Sequence, residues 1–324
     1  MSAIEPTVSV IIPCYNEEGS LHELYRRVRD EFTKLSLRAE LIFIDDGSTD
    51  GTRAILREFA ASDEDCRVIV FRRNSGKAAA LNVGFRVARG EFILTMDADL
   101  QDDPAEIPRF LEALQRTDLV SGWKFNRLDP LGKTLPSRLF NATVRHVTGV
   151  QLHDMNCGFK GYRRQVVQEV SVYGELHRYI PALAAARGFR IEELAVTHHP
   201  RRTGVSKYGW ERFTRGFFDL LTVVYITKYR TRPLHLLGNW ALGSVLVGII
   251  FGVGLSTYLN FMRPTTWHYF LWLITGSLLT IGPLLLAIGL IAEGNLASTL
   301  HNVPQPPVAE RINFPAIDEV THAG

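Results

Sequence analysis

Cysteine is scarce in this sequence, with three residues in 324: Cys14, Cys66 and Cys157. Their spacing does not match the closely spaced pairs that hold zinc, so no structural zinc site is expected. So few cysteines fit a chain whose thiols face a reducing compartment. Cys14 and Cys157 are interpreted as small packing residues.

Charge is absent from two long stretches of the C-terminal third. No Asp, Glu, Lys or Arg lies between His235 and Arg263, and none lies between Arg263 and Glu293. Each stretch is longer than the ~20 residues that a helix needs to cross a bilayer. Two buried helices of a soluble core are the weaker interpretation at this length. Within residues 233–300 the sequence therefore predicts two transmembrane helices, at about 236–262 and 268–292.

Positive charge is concentrated just before the first apolar stretch. Residues 201–232 contain eight Lys and Arg residues against two acidic ones, whereas the connection between the stretches contains Arg263. Positively charged flanks stay in the cytoplasm, so both termini are expected there, joined by a short external turn. The segment after residues 1–7 is a short strand-like run and not the apolar region of a signal peptide.

Two further segments flank the apolar region. Residues 208–232 have large apolar side chains at helical spacing with charged residues between them, which is typical of an amphipathic helix at a membrane interface. An ordinary core-packing helix is the alternative. The apolar positions are Trp210, Phe213, Phe217, Leu221 and Val224. Residues 301–324 contain four prolines and are interpreted as a mobile tail.

The N-terminal region, residues 1–207, alternates apolar segments with amphipathic ones. The pattern predicts an α/β fold with a mostly parallel sheet and helices on both faces. Strands are predicted at 8–13, 40–45, 68–71 and 91–96, and helices at 17–35, from about 53, and at 76–90. Ligands of such sheets bind beyond the carboxyl ends of the strands.

Polar clusters follow three of these strands: PCYNEE after the first, DDGSTD after the second and DADLQDD after the fourth. Each cluster alone suits turns and helix caps; Asp102 is interpreted as a turn residue, and Asp103 with Pro104 as a helix start. At one rim, however, the three together favour a site for a hydroxylated ligand that carries phosphate.

Asp97 and Asp99 are the strongest candidates for chemistry, because neighbouring carboxylates repel each other unless a cation neutralises them. Mg²⁺ or Mn²⁺ takes one or two carboxylates and completes its shell with substrate phosphate oxygens. Gln101 offers a neutral oxygen two residues further on. A metal ion there would stabilise the charge that grows on a departing diphosphate.

Four ordered blocks, VSVIIPCYNEE, DDGSTDGT, NSGKAAALNVG and DADLQDDP, closely resemble family 2 glycosyltransferases of the Rossmann-like GT-A fold. Together with HDMNCGFKGYRR, RRTGVSKYG and two terminal apolar stretches, they are similar to the polyprenyl-phosphate glycosyltransferases. That group includes dolichol-phosphate mannose synthases and bacterial undecaprenyl-phosphate glucosyltransferases. The resemblance covers about residues 7–300.

The resemblance implies an inverting, metal-dependent hexosyltransferase. It would move a sugar from a nucleotide diphosphate sugar, of the UDP-glucose or GDP-mannose type, to polyprenyl phosphate at the cytoplasmic face of a bacterial inner membrane. No nucleic-acid partner is implied.

The resemblance also implies roles by position. The nucleotide pocket would be lined by Pro13, Tyr15, Asn16 and Glu17, with Asp46 on the base or ribose. Lys77 would lie near the same pocket, unless it is a solvated residue of a first helical turn. Asp97, Asp99 and Gln101 would hold Mg²⁺ or Mn²⁺ and the diphosphate.

Asp99 and Asp154 are the candidate catalytic residues that the resemblance implies. Asp154 matches a D-x-x-S-G-F pattern in which Cys157 replaces Ser. Some bacterial members carry an aspartate nearer the Phe, where this chain has Gly158. A turn-forming role is therefore the alternative for Asp154.

The acceptor in such a reaction needs cations and no general base. A phosphate monoester already carries about −1.5 to −2 charges at neutral pH, so it can attack an anomeric carbon unaided. The residues expected to hold it are Arg138, Arg202, Ser206 and Lys207. Arg202 also suits a positive flank of the membrane or attraction to anionic lipid.

Two other functions fit the same outline. A processive polysaccharide synthase has a Q-x-x-R-W block and more spans, and this sequence has neither. A non-catalytic membrane scaffold is disfavoured by the intact Asp97, Asp99 and Gln101. The sugar and the nucleotide stay open, and a glycine face either pairs the two spans or supports a homo-oligomer. Its residues are Gly243, Gly248, Gly252 and Gly254.

Overall fold

The computed structural model describes residues 6–124, 142–146, 148–197, 199, 211–229 and 308–312, and seven single positions between 253 and 291. The chain divides into two compact units, residues 1–219 with 304–324, and residues 220–303. The single positions described in the second unit are helical. Among the residues described, no helix is long and apolar enough to cross a membrane.

Several predicted features lie outside the described residues. Apart from the single positions above, the two predicted membrane spans belong to this group. So do the four residues expected to hold the acceptor phosphate, Arg138, Arg202, Ser206 and Lys207.

An eight-stranded sheet forms the centre of the first unit, in the order β7-β5-β6-β4-β1-β2-β3-β8. The strands are β1 (Val8–Cys14), β2 (Ala39–Asp45), β3 (Cys66–Phe71), β4 (Phe92–Thr95), β5 (Leu119–Lys124), β6 (Lys160–Arg163), β7 (Ile191–Val196) and β8 (Val308–Ile312). The central strands β4, β1, β2 and β3 are parallel, and β5 is parallel to β7. By contrast, β6 is antiparallel to both β4 and β5, and β8 is antiparallel to β3.

The helices are α1 (Leu21–Lys34), α2 (Thr52–Ser62), α3 (Lys77–Val87), α4 (Ile107–Arg116), α5 (Arg164–Glu169), α6 (Ile180–Ala185) and α7 (Glu211–Val224). Short 3₁₀ turns lie at Pro104–Glu106 and Leu176–Tyr179, and a π turn at Tyr225–Tyr229. Helix α1 begins four residues later than the sequence predicts. The reason is that the backbone N–H of Asn16 donates to Ser48 Oγ in the loop after β2, and that of Glu17 donates to Thr52 Oγ1 at the start of α2.

Helices cover both faces of the sheet, as the sequence predicts. Val10 and Ile12 of β1 belong to the apolar core that includes α1, α2 and α4. Ile11 points to the opposite face, because side chains alternate along a strand. There Ile11 lies directly against Gly84 of α3, where a Cβ would come within 2.4 Å of its Cγ2. Coverage of both faces explains why the central strands are apolar runs without polar alternation.

The end of the sheet opposite the polar loops is held by a buried ion-pair network. Glu40 of β2 is fully buried and accepts hydrogen bonds from Ser9 Oγ at 2.6 Å and from Arg67 Nη1 at 2.8 Å. The backbone N–H of Arg89 donates to the same carboxylate at 2.7 Å. Although burial raises the pKa of Glu40, these hydrogen bonds outweigh it and lower the pKa below its ordinary value. The network joins β1, β2, β3 and the end of α3.

Five residues within the segment 301–324, which the sequence predicts to be a mobile tail, form a strand; the mobility of the remainder stays a prediction. Residues Val308–Ile312 form β8, which pairs with β3 through Val68↔Ile312, Ile69↔Arg311 and Val70↔Glu310. Without this strand, β3 would be an edge with free backbone N–H and C=O groups. Pairing with β3 therefore orders these five residues. The proline content of the segment could not predict this, because it carries no information about an unpaired strand edge elsewhere in the chain.

Candidate active site

The loops after β1 and β2 are tied together at the carboxyl end of the sheet. Asn16 adopts a left-handed backbone conformation, with φ of 57°, and its side-chain Oδ1 accepts the backbone N–H of Thr49 at 2.8 Å. The backbone N–H of Glu17 donates to Thr52 Oγ1 at 2.8 Å. Pro13 is half-buried at the end of β1, and Tyr15 is exposed at the rim. These side chains lie at the rim where the sequence predicts a nucleotide pocket.

Asp46 organises the turn that precedes α3. Its two carboxylate oxygens accept the backbone N–H groups of Ser75 at 2.6 Å and Gly76 at 2.9 Å. Gly76 has a φ of +90°, a conformation that favours glycine, so the turn ends in position for Lys77 to begin the helix. Burial raises the pKa of Asp46 above its ordinary value, and the two backbone hydrogen bonds oppose that shift. Contact with base or ribose stays a prediction for this residue.

Lys77 and Asp97 form an ion pair between the start of α3 and the loop after β4. Burial raises the pKa of Asp97, but the positive charges of Lys77, Lys124 and Lys160 outweigh it and bring the pKa below its ordinary range. Asp97 is therefore a carboxylate that already has a cation beside it. Lys77 is not a merely solvated residue of a first helical turn.

Asp97 also depends on a glycine from the opposite side of the site. A Cβ at Gly158 would lie 2.4 Å from Asp97 Oδ2 and 2.6 Å from its Cγ. Only a residue without a side chain leaves the carboxylate where it is. An aspartate at position 158, as in some members of the family that the sequence resembles, would displace it.

The remaining acidic residues of this loop have distinct partners. The backbone N–H of Gln101 donates to Asp99 Oδ1 at 3.2 Å, so the two residues form one turn. Asp102 is buried; its Oδ2 accepts the backbone N–H of Asp97 at 3.3 Å, and Oδ1 lies 3.6 Å from Lys124 Nζ. Asp102 is thus more than the turn residue that the sequence predicts, because it fixes the backbone of Asp97.

Asp103 has the helix-starting role that the sequence predicts. Its Oδ1 accepts the backbone N–H of Ala105 at 3.1 Å, at the start of the 3₁₀ turn before α4. The other oxygen lies 3.0 Å from His199 Nε2. Burial raises the pKa of Asp103, yet the contact with His199 and the backbone hydrogen bond outweigh it and lower the pKa.

Asp154 lies buried in the turn before β6. Its Oδ1 accepts the backbone N–H of Asn156 at 3.0 Å, and its own N–H donates to Glu193 Oε1 at 3.0 Å. These contacts support the turn-forming alternative. The charge of Asp154 also acts on Lys124 and Lys160, so it contributes to the electrostatics of the site.

A narrow cleft beside Asp97 contains residues that sequence reasoning missed. It is lined by residues of α3, β4, the turn before β6, β6 itself and the 3₁₀ turn at Leu176–Tyr179. Lys160, His177 and Arg178 lie on its wall together with Lys77. Lys160 stands in the HDMNCGFKGYRR block, but no local pattern indicates that it would reach the aspartate loop. Its position follows from the pairing of β6 with β4.

The cysteines take no part in this chemistry. Cys14, Cys66 and Cys157 are all free and buried. Burial raises the pKa of Cys14 well above its ordinary value, and that of Cys66 and Cys157 to about 12. All three are therefore neutral thiols near pH 7, consistent with packing roles.

The donor set fits a divalent ion that is shared with a substrate. Within the described part of the chain, no group of three or more His, Cys, Asp or Glu side chains is arranged to hold a metal ion. Asp97 and Asp99 supply two carboxylates in one loop, which suits Mg²⁺ or Mn²⁺ when phosphate oxygens complete the shell. A closed structural zinc site would need four protein ligands and does not fit.

The fold is that of GT-A-type proteins. The structure of glucosyl-3-phosphoglycerate synthase from Mycobacterium tuberculosis with Mn²⁺, uridine diphosphate and glucosyl-3-phosphoglycerate has a TM-score of 0.52 to this chain. The two chains are 19% identical, over 68% of this chain and 80% of that one. At this level of identity the likeness concerns the fold. The α/β sheet of this chain therefore belongs to the GT-A fold class.

Sequence comparison then assigns the family. The family described as Glycosyl transferase family 2 matches residues 9–171. Dodecaprenyl-phosphate galacturonate synthase from Rhizobium johnstonii is 42% identical over 242 residues, 73% of this chain and 72% of that protein. Undecaprenyl-phosphate 4-deoxy-4-formamido-L-arabinose transferase from Aeromonas hydrophila is 40% identical over 258 residues, 79% of this chain and 76% of that protein. This chain belongs to glycosyl transferase family 2 and is a glycosyltransferase.

Proposed function

We propose that this glycosyltransferase moves a sugar from a nucleotide diphosphate sugar to polyprenyl phosphate, with inversion at the anomeric carbon. The similarity to two curated relatives that bear polyprenyl-phosphate names carries the proposal, because it extends over about three quarters of the chain. The relatives' names differ in the sugar, galacturonate in one and a formamido-arabinose in the other. The choice of sugar therefore has to come from the site itself.

On the donor side, the loops after β1 and β2 bind the nucleoside, through Pro13, Tyr15, Asn16, Glu17 and Asp46. Asp97, Asp99 and Gln101 take the diphosphate together with Mg²⁺ or Mn²⁺, which neutralises the charge of the departing diphosphate when bound. Asp102 and Gly158 support this proposal, since they hold Asp97 at the rim. Lys77 adds a fixed positive charge at the same point.

On the acceptor side, the reaction needs only positively charged side chains that bind the phosphate of the acceptor. A dianionic phosphate attacks without a base, so Arg138, Arg202, Ser206 and Lys207 are proposed to bind and orient it. Asp154, which forms a turn and whose charge acts on Lys124 and Lys160, is proposed to act through the electrostatic field at the site rather than by proton transfer.

The remainder of the chain is proposed to bring the catalytic unit to the lipid. Helix α7 would lie at the membrane interface, and the uncharged stretches 236–262 and 268–292 would cross the bilayer. Both termini would then be cytoplasmic. The acceptor phosphate at the headgroup level would meet the donor from the cytoplasm.

Product analysis of an Asp99→Asn variant tests the reaction. With a radiolabelled donor, the wild type is expected to place label in a solvent-extractable lipid from which mild acid releases the sugar. Asp99→Asn is expected to lower this transfer about 10²- to 10³-fold, the cost of removing one stabiliser of developing charge. Asp30→Asn, at an exposed ion pair of α1, is the matched control and keeps full activity.

Other outcomes would redirect the assignment. Label in a polymer would indicate a processive synthase, and no incorporation from any donor would indicate a scaffold. Undiminished transfer by Asp99→Asn would remove Asp99 from the diphosphate site.

A further inference from the structure

The cleft beside Asp97 is lined by several basic side chains, and they differ in whether a carboxylate pairs with them. Four basic side chains lie on its wall: Lys77, Lys160, His177 and Arg178. Two of these four side chains form ion pairs with carboxylates of the same chain. Lys77 pairs with Asp97, and Arg178 Nη2 lies 2.6 Å from Glu175 Oε2. For the other two, Lys160 and His177, no carboxylate partner is found among the residues that the structure describes.

Lys160 is a buried cation whose hydrogen-bond partner is a neutral group. The residue is 3% exposed, and its ammonium donates to the backbone carbonyl of Cys157. No carboxylate forms an ion pair with it among residues the structure describes. Burying an ammonium that lacks an ionic partner costs several kcal/mol. Consistent with that cost, burial lowers the pKa of Lys160, and nearby Lys77 acts in the same direction, while the charges of Asp154 and Asp97 partly oppose the shift.

His177 presents a second unsatisfied group to the same cleft. Its Nδ1 is buried and has no hydrogen-bond partner within the described ranges. Buried polar side-chain atoms nearly always have a partner, so an orphan on the wall of a cleft marks a position where a ligand atom binds. With the proton on Nδ1, the imidazole of His177 and the ammonium of Lys160 supply two donors among the residues that line the cleft.

The position of the cleft relative to Asp97 narrows the choice of ligand. Gly158 lines the cleft and is in contact with the Asp97 carboxylate. If Asp97 and Asp99 take the diphosphate, as proposed above, the group bound next to it is the sugar. A neutral hydroxyl would leave Lys160 without a direct ionic partner in the complex. A carboxylate accepts only, carries one negative charge and satisfies both donors.

From this geometry we propose that the donor sugar is a uronic acid whose carboxylate binds Lys160 and His177. The inference rests on the proposed transfer from a nucleotide sugar and names the class of sugar. Lys160 supplies the charge and His177 Nδ1 the directed hydrogen bond. Sugars with an uncharged hydroxymethyl group bind the same site less tightly, since they leave a buried cation unpaired.

Matched donor pairs test the proposal without any mutation. UDP-galacturonate is compared with UDP-galactose, UDP-glucuronate with UDP-glucose, and GDP-mannuronate with GDP-mannose. The members of each pair differ at C6 and share their nucleotide. Calorimetry on the full chain in detergent with Mn²⁺ is expected to show about 100-fold tighter binding of the acid in at least one pair, the discrimination that a buried polar partner commands. Equal binding within every pair overturns the proposal.

Two variants assign the preference to the cleft. Lys160→Met keeps the length of the side chain without its charge, and His177→Leu removes the ring nitrogen. Each is expected to reduce the preference for the acid to less than about tenfold. Lys34→Met, at an exposed residue of α1, is the matched control and keeps the preference. A preference that survives both cleft variants overturns the proposal.

The acceptor phosphate is the competing occupant of the cleft. If the acceptor phosphate binds there, Lys160→Met and His177→Leu raise the KM for polyprenyl phosphate. The preference for the acidic over the neutral donor then stays unchanged, which overturns the proposal. Efficient transfer of a neutral sugar to polyprenyl phosphate would contradict the proposal of a uronic acid donor and would support the proposed transfer reaction. If no nucleotide sugar binds or is transferred, both proposals fail together.

Discussion

At the scale of single residues, the acidic loop after β4 shows how four carboxylates tolerate one another. Each has its own partner: Lys77 for Asp97, the N–H of Gln101 for Asp99, Lys124 for Asp102 and His199 for Asp103. The repulsion expected within seven positions is thus relieved largely by basic side chains from other elements. Two of the four, Asp97 and Asp99, remain the proposed ligands of the diphosphate and its metal ion.

A methyl group at Gly158 is expected to lower transferase activity while leaving the stability of the fold nearly unchanged. In Gly158→Ala the new Cβ would meet Asp97 Oδ2 at 2.4 Å, so the carboxylate has to turn away from its place at the rim. We expect kcat/KM for the donor to fall about 10²-fold, as removal of an oriented charge does. The thermal midpoint should change little, because the atom that moves is the end of a side chain.

Gly161→Ala, three residues further on in β6, is the control. Its Cβ would approach Leu114 Cδ1 at 3.0 Å and Leu94 Cδ2 at 3.1 Å, both in the core. This variant should lower stability and leave donor affinity alone. Equal donor affinity in Gly158→Ala and the wild type would show that Asp97 does not need its present position.

At the scale of elements, the two ends of the sheet have different tasks. The carboxyl ends of β1, β2 and β4 lead into the site loops, where charged side chains are partly open to ligands. Toward the other end, Glu40 is closed off by Ser9, Arg67 and Arg89. This buried network fastens the strands that position the site, and removing one member leaves the others uncompensated.

Glu40→Gln is expected to destabilise the fold in a manner that depends on pH. Loss of the carboxylate removes the ionic partner that Glu40 gives the buried Arg67, which costs about 3–5 kcal/mol of unfolding free energy near neutral pH. Because the folded-state pKa of Glu40 is lowered, its contribution is complete above its ordinary value of 4.5 and is lost as the pH falls through the folded-state pKa. The difference between variant and wild type should therefore shrink on acidification below 4.5.

Denaturant unfolding of the full chain in detergent at several pH values measures this difference. Glu23→Gln, at an ion pair on the surface of α1, should cost no more than about 1 kcal/mol. A deficit of Glu40→Gln that stays constant from neutral pH to pH values well below 4.5 would contradict the ionic origin of the effect.

Strand β8 is expected to protect the outer edge of β3. In Glu310→Pro, residue 310 can no longer donate a backbone hydrogen bond, and the ring disturbs pairing opposite Val70. Hydrogen exchange at the amides of Cys66–Phe71 that face β8 should accelerate about tenfold, as the loss of one hydrogen bond implies. Glu310→Ala keeps the N–H and serves as the control. Unchanged exchange would mean that β8 does not cover this edge.

At the scale of the whole molecule, the proposed arrangement places the catalytic unit and both termini on one side of a bilayer. The three native cysteines are buried and free, so they give little background in thiol labelling. Thr265→Cys, in the connection between the two uncharged stretches, should react with an impermeant reagent on intact cells. Thr321→Cys should react only after the membrane is opened. The reverse pattern would invert the orientation, and release of the protein by an alkaline wash would exclude the spans.

The sequence by itself determined the family, the parallel centre of the sheet and the rim on which the site lies. Each of these conclusions follows from a pattern within a short stretch of sequence. Apolar runs predict the buried strands, the acidic loops directly after them predict the rim of the site, and the ordered blocks indicate the family. The positions of the predicted strands agree with β1 to β4 within about two residues.

Which basic side chains surround the aspartates follows from the tertiary structure and from no local sequence pattern. Lys124, Lys160 and His177 are 25 or more positions from Asp97 in the chain. Antiparallel insertion of β6 between β4 and β5 aligns Lys160 with Thr95 and brings Gly158 against the Asp97 carboxylate. The same holds for β8, more than two hundred positions from the strand that it covers. Such neighbours are selected by which strand edges are left to pair, and that is a property of the assembled sheet rather than of any local segment.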